Sequence, residues 1–175
     1  DETLIKPATK FLLEKNVNLN FNDGLKEIII CDNKVTELIF KDNKKKINGD
    51  DIVVFAIPPS NVSKFLPNLN LPSEYNPIVN IHFKYETKKL KLKHKIYGML
   101  YSKAQWVFVK DGYFSVTISA ANSFLSNSKE QLANEIWNEI SQLFSLSKIK
   151  CPKYKIIIEK KATYNQTPQN HELVK

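Results

Sequence analysis

Glycine is scarce in this 175-residue chain: there are only four, Gly24, Gly49, Gly98 and Gly112, and each stands alone. A phosphate cradle needs clustered glycines that let backbone amides approach a pyrophosphate. The pattern therefore excludes a GxGxxG dinucleotide loop and a loop ending in GK[ST]. Arginine is missing altogether, so all 26 basic residues are lysines. The formal charge of +8 thus lacks the planar fork that best reads phosphates and guanine edges, and no nucleic-acid partner is expected. Abundant Asn, Ile and Lys read instead as compositional drift of the source genome.

Long apolar runs are also missing. Nothing reaches the roughly 18 residues a membrane-spanning helix needs, and Asp1-Glu2-Thr3 resembles neither a signal nor a transit peptide. The chain reads as soluble and cytoplasmic. Cys31 and Cys151 lie far apart with no CxxC pairing, the pattern of two ordinary thiols. Neither GxSxG nor HExxH occurs. His82, His94 and His171 sit in different segments without ligand spacing, so no metal is expected. Ser60, Ser119 and Cys151 have no partnered base nearby, so no catalytic residue is assigned. The missing initiating methionine and the ending Glu172-Leu173-Val174-Lys175 read as cuts in a longer chain.

What is present alternates helix and strand signals. Ile5, Ala8, Phe11 and Leu12 stand at helical spacing and predict a short helix ending before Asn16. Val17, Leu19 and Phe21 alternate with asparagines as in a half-buried strand. Leu25–Cys31 and Lys34–Lys41 flank Asp32-Asn33 as a hairpin, and Asp42–Lys46 reads as a solvated loop. Asp51–Ile57 is apolar on both faces, as an interior strand covered on two sides would be, until Pro58-Pro59 stops it.

Beyond the irregular stretch of Pro67, Pro72 and Pro77 lies a second β region. Residues 78–85 alternate, followed by strand candidates at Ile96–Leu100, Gln105–Lys110 and Tyr113–Ala120, the last two joined by Asp111-Gly112. Lys88–Lys95 is expected as an exposed loop or charged edge. Ser128 with Gln131 caps a helix whose stripe is Leu132, Ile136, Ile140, Leu143 and Phe144, and a last strand covers Lys155–Glu159. The aromatics Phe83, Tyr85, Tyr97, Tyr101, Trp106, Phe108, Tyr113 and Phe114 either fill a core or, where they face inward, line a large apolar pocket. Trp106 is the strongest pocket candidate.

The run Asp51-Ile52-Val53-Val54-Phe55-Ala56-Ile57-Pro58-Pro59 resembles the D-x-V-V-x-A-x-P-P strand of flavin amine oxidases and carotenoid desaturases. Within that superfamily three segments resemble the bacterial hydroxysqualene dehydroxylases: Pro77–Phe83, Gln105–Phe108 and Ala162–Pro168. The resemblance covers nearly the whole chain and implies an FAD-dependent oxidoreductase acting on a long isoprenoid. In that chemistry reduced flavin supplies a hydride as the hydroxyl of hydroxysqualene leaves, giving squalene.

By the same resemblance Leu25, Ala56 and Pro58 lie beside the FAD, and Trp106, Phe108 and Thr163 face the apolar substrate. The glycine loop and the C-terminal flavin segment are not in the sequence. They are expected from missing segments or a second chain, and the chain alone is expected to be inactive. An excised portion, a split gene product and a decayed remnant stay open, the missing methionine favouring the first.

The expected architecture is α+β: residues 1–67 contribute a helix, strands and hairpin to a Rossmann-like FAD domain, and residues 68–165 form an antiparallel substrate-binding sheet with a packed helix. Residues 166–175 are a tail leading toward the C-terminal flavin segment. A lipid-soluble substrate leaves room for peripheral contact with the inner face of the membrane. The alternative reading is a non-catalytic lipid- or protein-binding module, and the weakest is an electrostatic nucleic-acid binder.

Overall fold

The computed structural model describes residues 2–146 and 150–173. It divides into two compact units, Asp1–Leu69 and Asn70–Lys175.

In the first unit, α1 (Ile5–Glu14) is ended by Asn16 at φ 58°. The Asn16 amide donates to the Leu13 carbonyl and the Val17 amide to that of Leu12, satisfying carbonyls the helix leaves unpaired. Strands β1 (Leu25–Cys31) and β2 (Lys34–Phe40) form the expected hairpin. Asp32 and Asn33 both take positive φ, 50° and 57°, which a two-residue turn matched to strand twist requires.

Three expectations fail here. Lys44–Lys46 is not loop but a third strand, β3, which pairs with β2 and sets Lys46 opposite Glu37. Residues 17–21 form no strand, because no neighbouring strand takes up their backbone groups. Residues 51–57 likewise join no sheet: Ile52 is 88% and Val54 79% exposed, so the covered interior strand is not realised within these residues. Helix α2 (Pro59–Phe65) follows, with Pro59 at its start, where a missing N–H costs nothing.

The second unit is a five-stranded antiparallel sheet with one face covered. Its elements are β4 (Tyr75–Lys84), β5 (Ile96–Gly98), β6 (Trp106–Lys110), β7 (Tyr113–Ile118), α3 (Lys129–Leu143), β8 (Tyr154–Tyr164) and α4 (Pro168–Glu172). The order is β5-β6-β7-β4-β8, so the predicted meander is present. Thr87–Leu90, in the lysine-rich stretch, is a short 3-10 turn rather than an edge strand.

Strand alternation puts Val79, Ile81, Phe83, Val107, Val109, Phe114, Val116 and Ile118 on one buried face. Leu132, Ala133, Ile136, Trp137 and Ile140 of α3 belong to the same core. Ser128 caps α3 as expected, its hydroxyl accepting from the Gln131 amide at 3.1 Å. The Glu139 carboxylate holds the loop before β6, accepting from Ser102 Oγ at 2.5 Å and the Ala104 amide at 2.8 Å.

The aromatics expected to line a pocket are divided by this sheet. Phe83, Tyr85 and Phe114 surround the Trp137 indole at centroid distances of 5.4, 5.5 and 6.3 Å. These inward rings pack into the core around Trp137, because α3 closes over them.

Candidate functional site

The strand registers define the rows of the sheet face opposite α3. One runs Gly98, Trp106, Thr117, Asn80, Ile157 across β5 to β8, and the next runs Ile96, Phe108, Ser115, His82, Lys155. Trp106 is 48% exposed here, between the buried Ala104 and Val107. Its ring lies over Gly98: a Cβ built there would come within 3.3 Å of the indole, so the absent side chain lets the ring lie flat along the sheet.

The centre of the face is polar and its flanks are apolar. Thr117 Oγ1 donates to Asn80 Oδ1 at 2.7 Å. His82 stands edge-on to Tyr113, with ring centroids 6.1 Å apart, and its Nδ1 is buried without a hydrogen-bond partner. Trp106, Phe108 and Ile96 lie to one side of these polar residues and Ile157 to the other.

The structure brings Trp106 and Phe108 together, two residues apart on one strand. Thr163 pairs with Asn76, in alternation with Ile78 and Asn80, and so lies on the same face but at the far end of β8. Three strand spacings, roughly 14 Å, separate β6 from β8. Between Asn76 and Ile78 the register shifts, so that Lys160, Lys161 and Ala162 bulge opposite Pro77, which has no N–H to offer the ladder.

In the first unit Leu25 opens β1 opposite Phe40, while exposed Ala56 and Pro58 lie in the extended segment outside the ladder. A flavin dinucleotide needs a close backbone approach for its pyrophosphate. A Cβ built on Gly24 or Gly49 meets nothing within 4 Å, so packing within the chain does not require glycine at either position.

Other candidates stay apart. His94 stacks edge-on with Tyr97 and His171 lies in α4. Among the described residues no group of three or more His, Cys, Asp or Glu could hold a metal, and no helix is long and apolar enough to cross a membrane. Both cysteines are free. Burial raises the Cys151 thiol pKa. The polar centre of the open face, Asn80, His82, Ser115 and Thr117, was not picked out by sequence. Its only signal there was period-two alternation, which shows that residues share a face but not that the face is left uncovered.

A five-stranded sheet packed against a helix in one unit and a three-stranded sheet in the other make this an α+β protein with a flavin-oxidase-like fold. The fold likeness is to a crystal structure from Exiguobacterium sp. 255-15, provisionally assigned as a protoporphyrinogen oxidase: TM-score 0.63 and 12% identity, over 96% of this chain and 41% of that one. The profile of the flavin containing amine oxidoreductases matches residues 6–161, and the chain belongs to that family.

Curated relatives carry the name hydroxysqualene dehydroxylase. That of Zymomonas mobilis is 31% identical over 97% of this chain and 40% of its own length. That of Rhodopseudomonas palustris is 32% identical over the same shares. The chain thus spans about 40% of the length of these relatives.

Proposed function

We propose that this chain is the substrate-facing portion of an FAD-dependent oxidoreductase acting on a long isoprenoid, the reaction being dehydroxylation of hydroxysqualene to squalene. The observation that carries the reading is that the three segments resembling the dehydroxylases share one sheet face, Thr163 lying at its far end. Pro77–Phe83 supplies Asn80 and His82, Gln105–Phe108 supplies Trp106 and Phe108, and Ala162–Pro168 supplies Thr163, all on the open sheet face. Relatives of that name, matched along nearly the whole chain, support it.

In this reading Trp106 and Phe108 give the hydrocarbon a flat apolar bed and displace water from it. Leu25, Ala56 and Pro58 flank a cofactor whose phosphates are held by segments beyond these residues. The product forms in the cytoplasm, with the substrate reached from the inner membrane surface.

The test is reconstitution. The 175-residue chain alone is expected to be colourless and inactive. Joined to the remaining segments of a relative, it should bind flavin, turn yellow and convert hydroxysqualene to squalene. A joined protein that binds flavin but leaves hydroxysqualene untouched while acting on another substrate overturns the substrate assignment.

A further inference from the structure

We infer that the polar centre of the open sheet face, His82 and Asn80 with Ser115 and Thr117, is a hydroxyl-recognition site set in an otherwise apolar bed. The inference rests on the isoprenoid reading and adds to it the residues that single out an alcohol from the corresponding hydrocarbon.

The argument begins with what each polar group lacks. Thr117 donates to the Asn80 carbonyl oxygen, which fixes the amide and commits its acceptor side to the sheet. The Asn80 amide nitrogen then remains the donor that a ligand oxygen can meet. Only one of the two ring nitrogens of His82, Nδ1, is shut away without a partner. A buried N–H with no acceptor is rarer and costlier than a bare lone pair, so the favoured tautomer carries its proton on Nε2. His82 thereby presents a second donor.

Asn80 and His82 are two residues apart on β4, so their side chains rise from the same face roughly 7 Å apart. A single hydroxyl lying between them can accept from either one. Lys84, Tyr113 and Lys155 are the charged or titratable neighbours of His82 on this face.

The surroundings determine what kind of alcohol suits the site. Trp106, Phe108 and Ile96 flank the polar centre on the β5 and β6 side, and Ile157 flanks it on the β8 side. A short polar alcohol leaves that apolar surface wet, and a pure hydrocarbon leaves the two donors unpaired. A long chain with one interior hydroxyl satisfies both.

Trp106 and Trp137 are the two tryptophans, and Trp137 is 1% exposed in the core, so quenching of the more accessible indole reports on this face. The chain is titrated with hydroxysqualene and with squalene in the same detergent. Wild type should bind the alcohol about tenfold more tightly, the ratio that one or two hydrogen bonds to a neutral hydroxyl supply in a partly open site. His82→Phe and Asn80→Leu should each cut the ratio to about threefold or less, with squalene affinity kept or raised and the far-UV circular dichroism of wild type as the proof of folding. His82→Gln, which keeps a donor, should retain most of it.

Equal binding of both probes by wild type overturns the hydroxyl site and leaves the isoprenoid reading standing. A preference that both variants keep overturns the assignment to these residues. Failure of both probes to bind overturns the isoprenoid reading and the site with it.

Discussion

The two units contain similar β hairpins and bury them very differently. Among the described residues, the buried hydrophobic core cluster runs from Val79 to Ile140, in the second unit. No described residue from Glu2 to Leu69 is buried at all. A sheet becomes stable when one face is taken out of water against another layer, and in the second unit α3 supplies that layer. The first unit keeps Phe11, Leu13, Ile52 and Val54 in solvent, at a cost that burial of each would reverse by about 1.5–3 kcal/mol. The contrast separates two kinds of bare apolar surface. The open face of the second sheet has a complete core behind it. The segment from Asp51 to Ile57 has none and is an unfinished layer.

The largest expected effect lies in the second unit. Trp137→Ala removes the indole at the centre of the Phe83, Tyr85 and Phe114 cluster and should cost about 3–5 kcal/mol in urea denaturation. Ile52→Ala in the same chain should change stability by less than about 0.5 kcal/mol, because Ile52 is 88% exposed. Comparable losses from the two substitutions break the contrast between the units. Glu139→Ala comes next: it strips three hydrogen bonds from the Ser102–Ala104 loop and should cost about 1–3 kcal/mol by the same assay.

Ser128→Ala, which removes the cap of α3, should cost about 1 kcal/mol and leave the β1–β2 hairpin unaffected. The smallest effect is kinetic. Cys31, exposed in the first unit, should react with a thiol reagent before Cys151. Cys151 is half-buried and burial raises its pKa, so less thiolate is present below that pKa and its rate should climb with rising pH. Faster labelling of Cys151 at neutral pH would contradict the burial assigned to it.

What the sequence showed well was local. The Asp32-Asn33 and Asp111-Gly112 turns, the Ser128 cap and the β6–β7 pair follow from backbone conformations that particular residues permit, and all are present. What it missed depended on partners distant in sequence. Val17–Phe21 and Asp51–Ile57 have strand chemistry, but a strand exists only when another strand takes up its backbone groups, and none does so here. Lys44–Lys46 looked too charged to be anything but loop, yet its backbone found β2, and Glu37 opposite Lys46 offsets part of the charge.

The candidate site was half legible. Trp106 and Phe108 stood out as large rings on alternating positions, and the structure places them side by side on an exposed face. His82 read as an ordinary strand residue, because only the pairing of β4 with β7 brings it beside Ser115 and Tyr113. Trp137 was overlooked beside Ile136, although the α3 face that meets the sheet is wide enough for both.

Native-state hydrogen exchange on the 175-residue chain tests the contrast between the units most directly. Amides of the β4–β7 ladder, around Val79, Ile81, Phe114 and Val116, should exchange only through global unfolding of the second unit. Those of the β1–β2 hairpin should exchange at least a hundredfold faster, through local opening of a sheet with no buried face. Equal protection of the two ladders would contradict the account, because it would require a core in the first unit that its exposed side chains do not form.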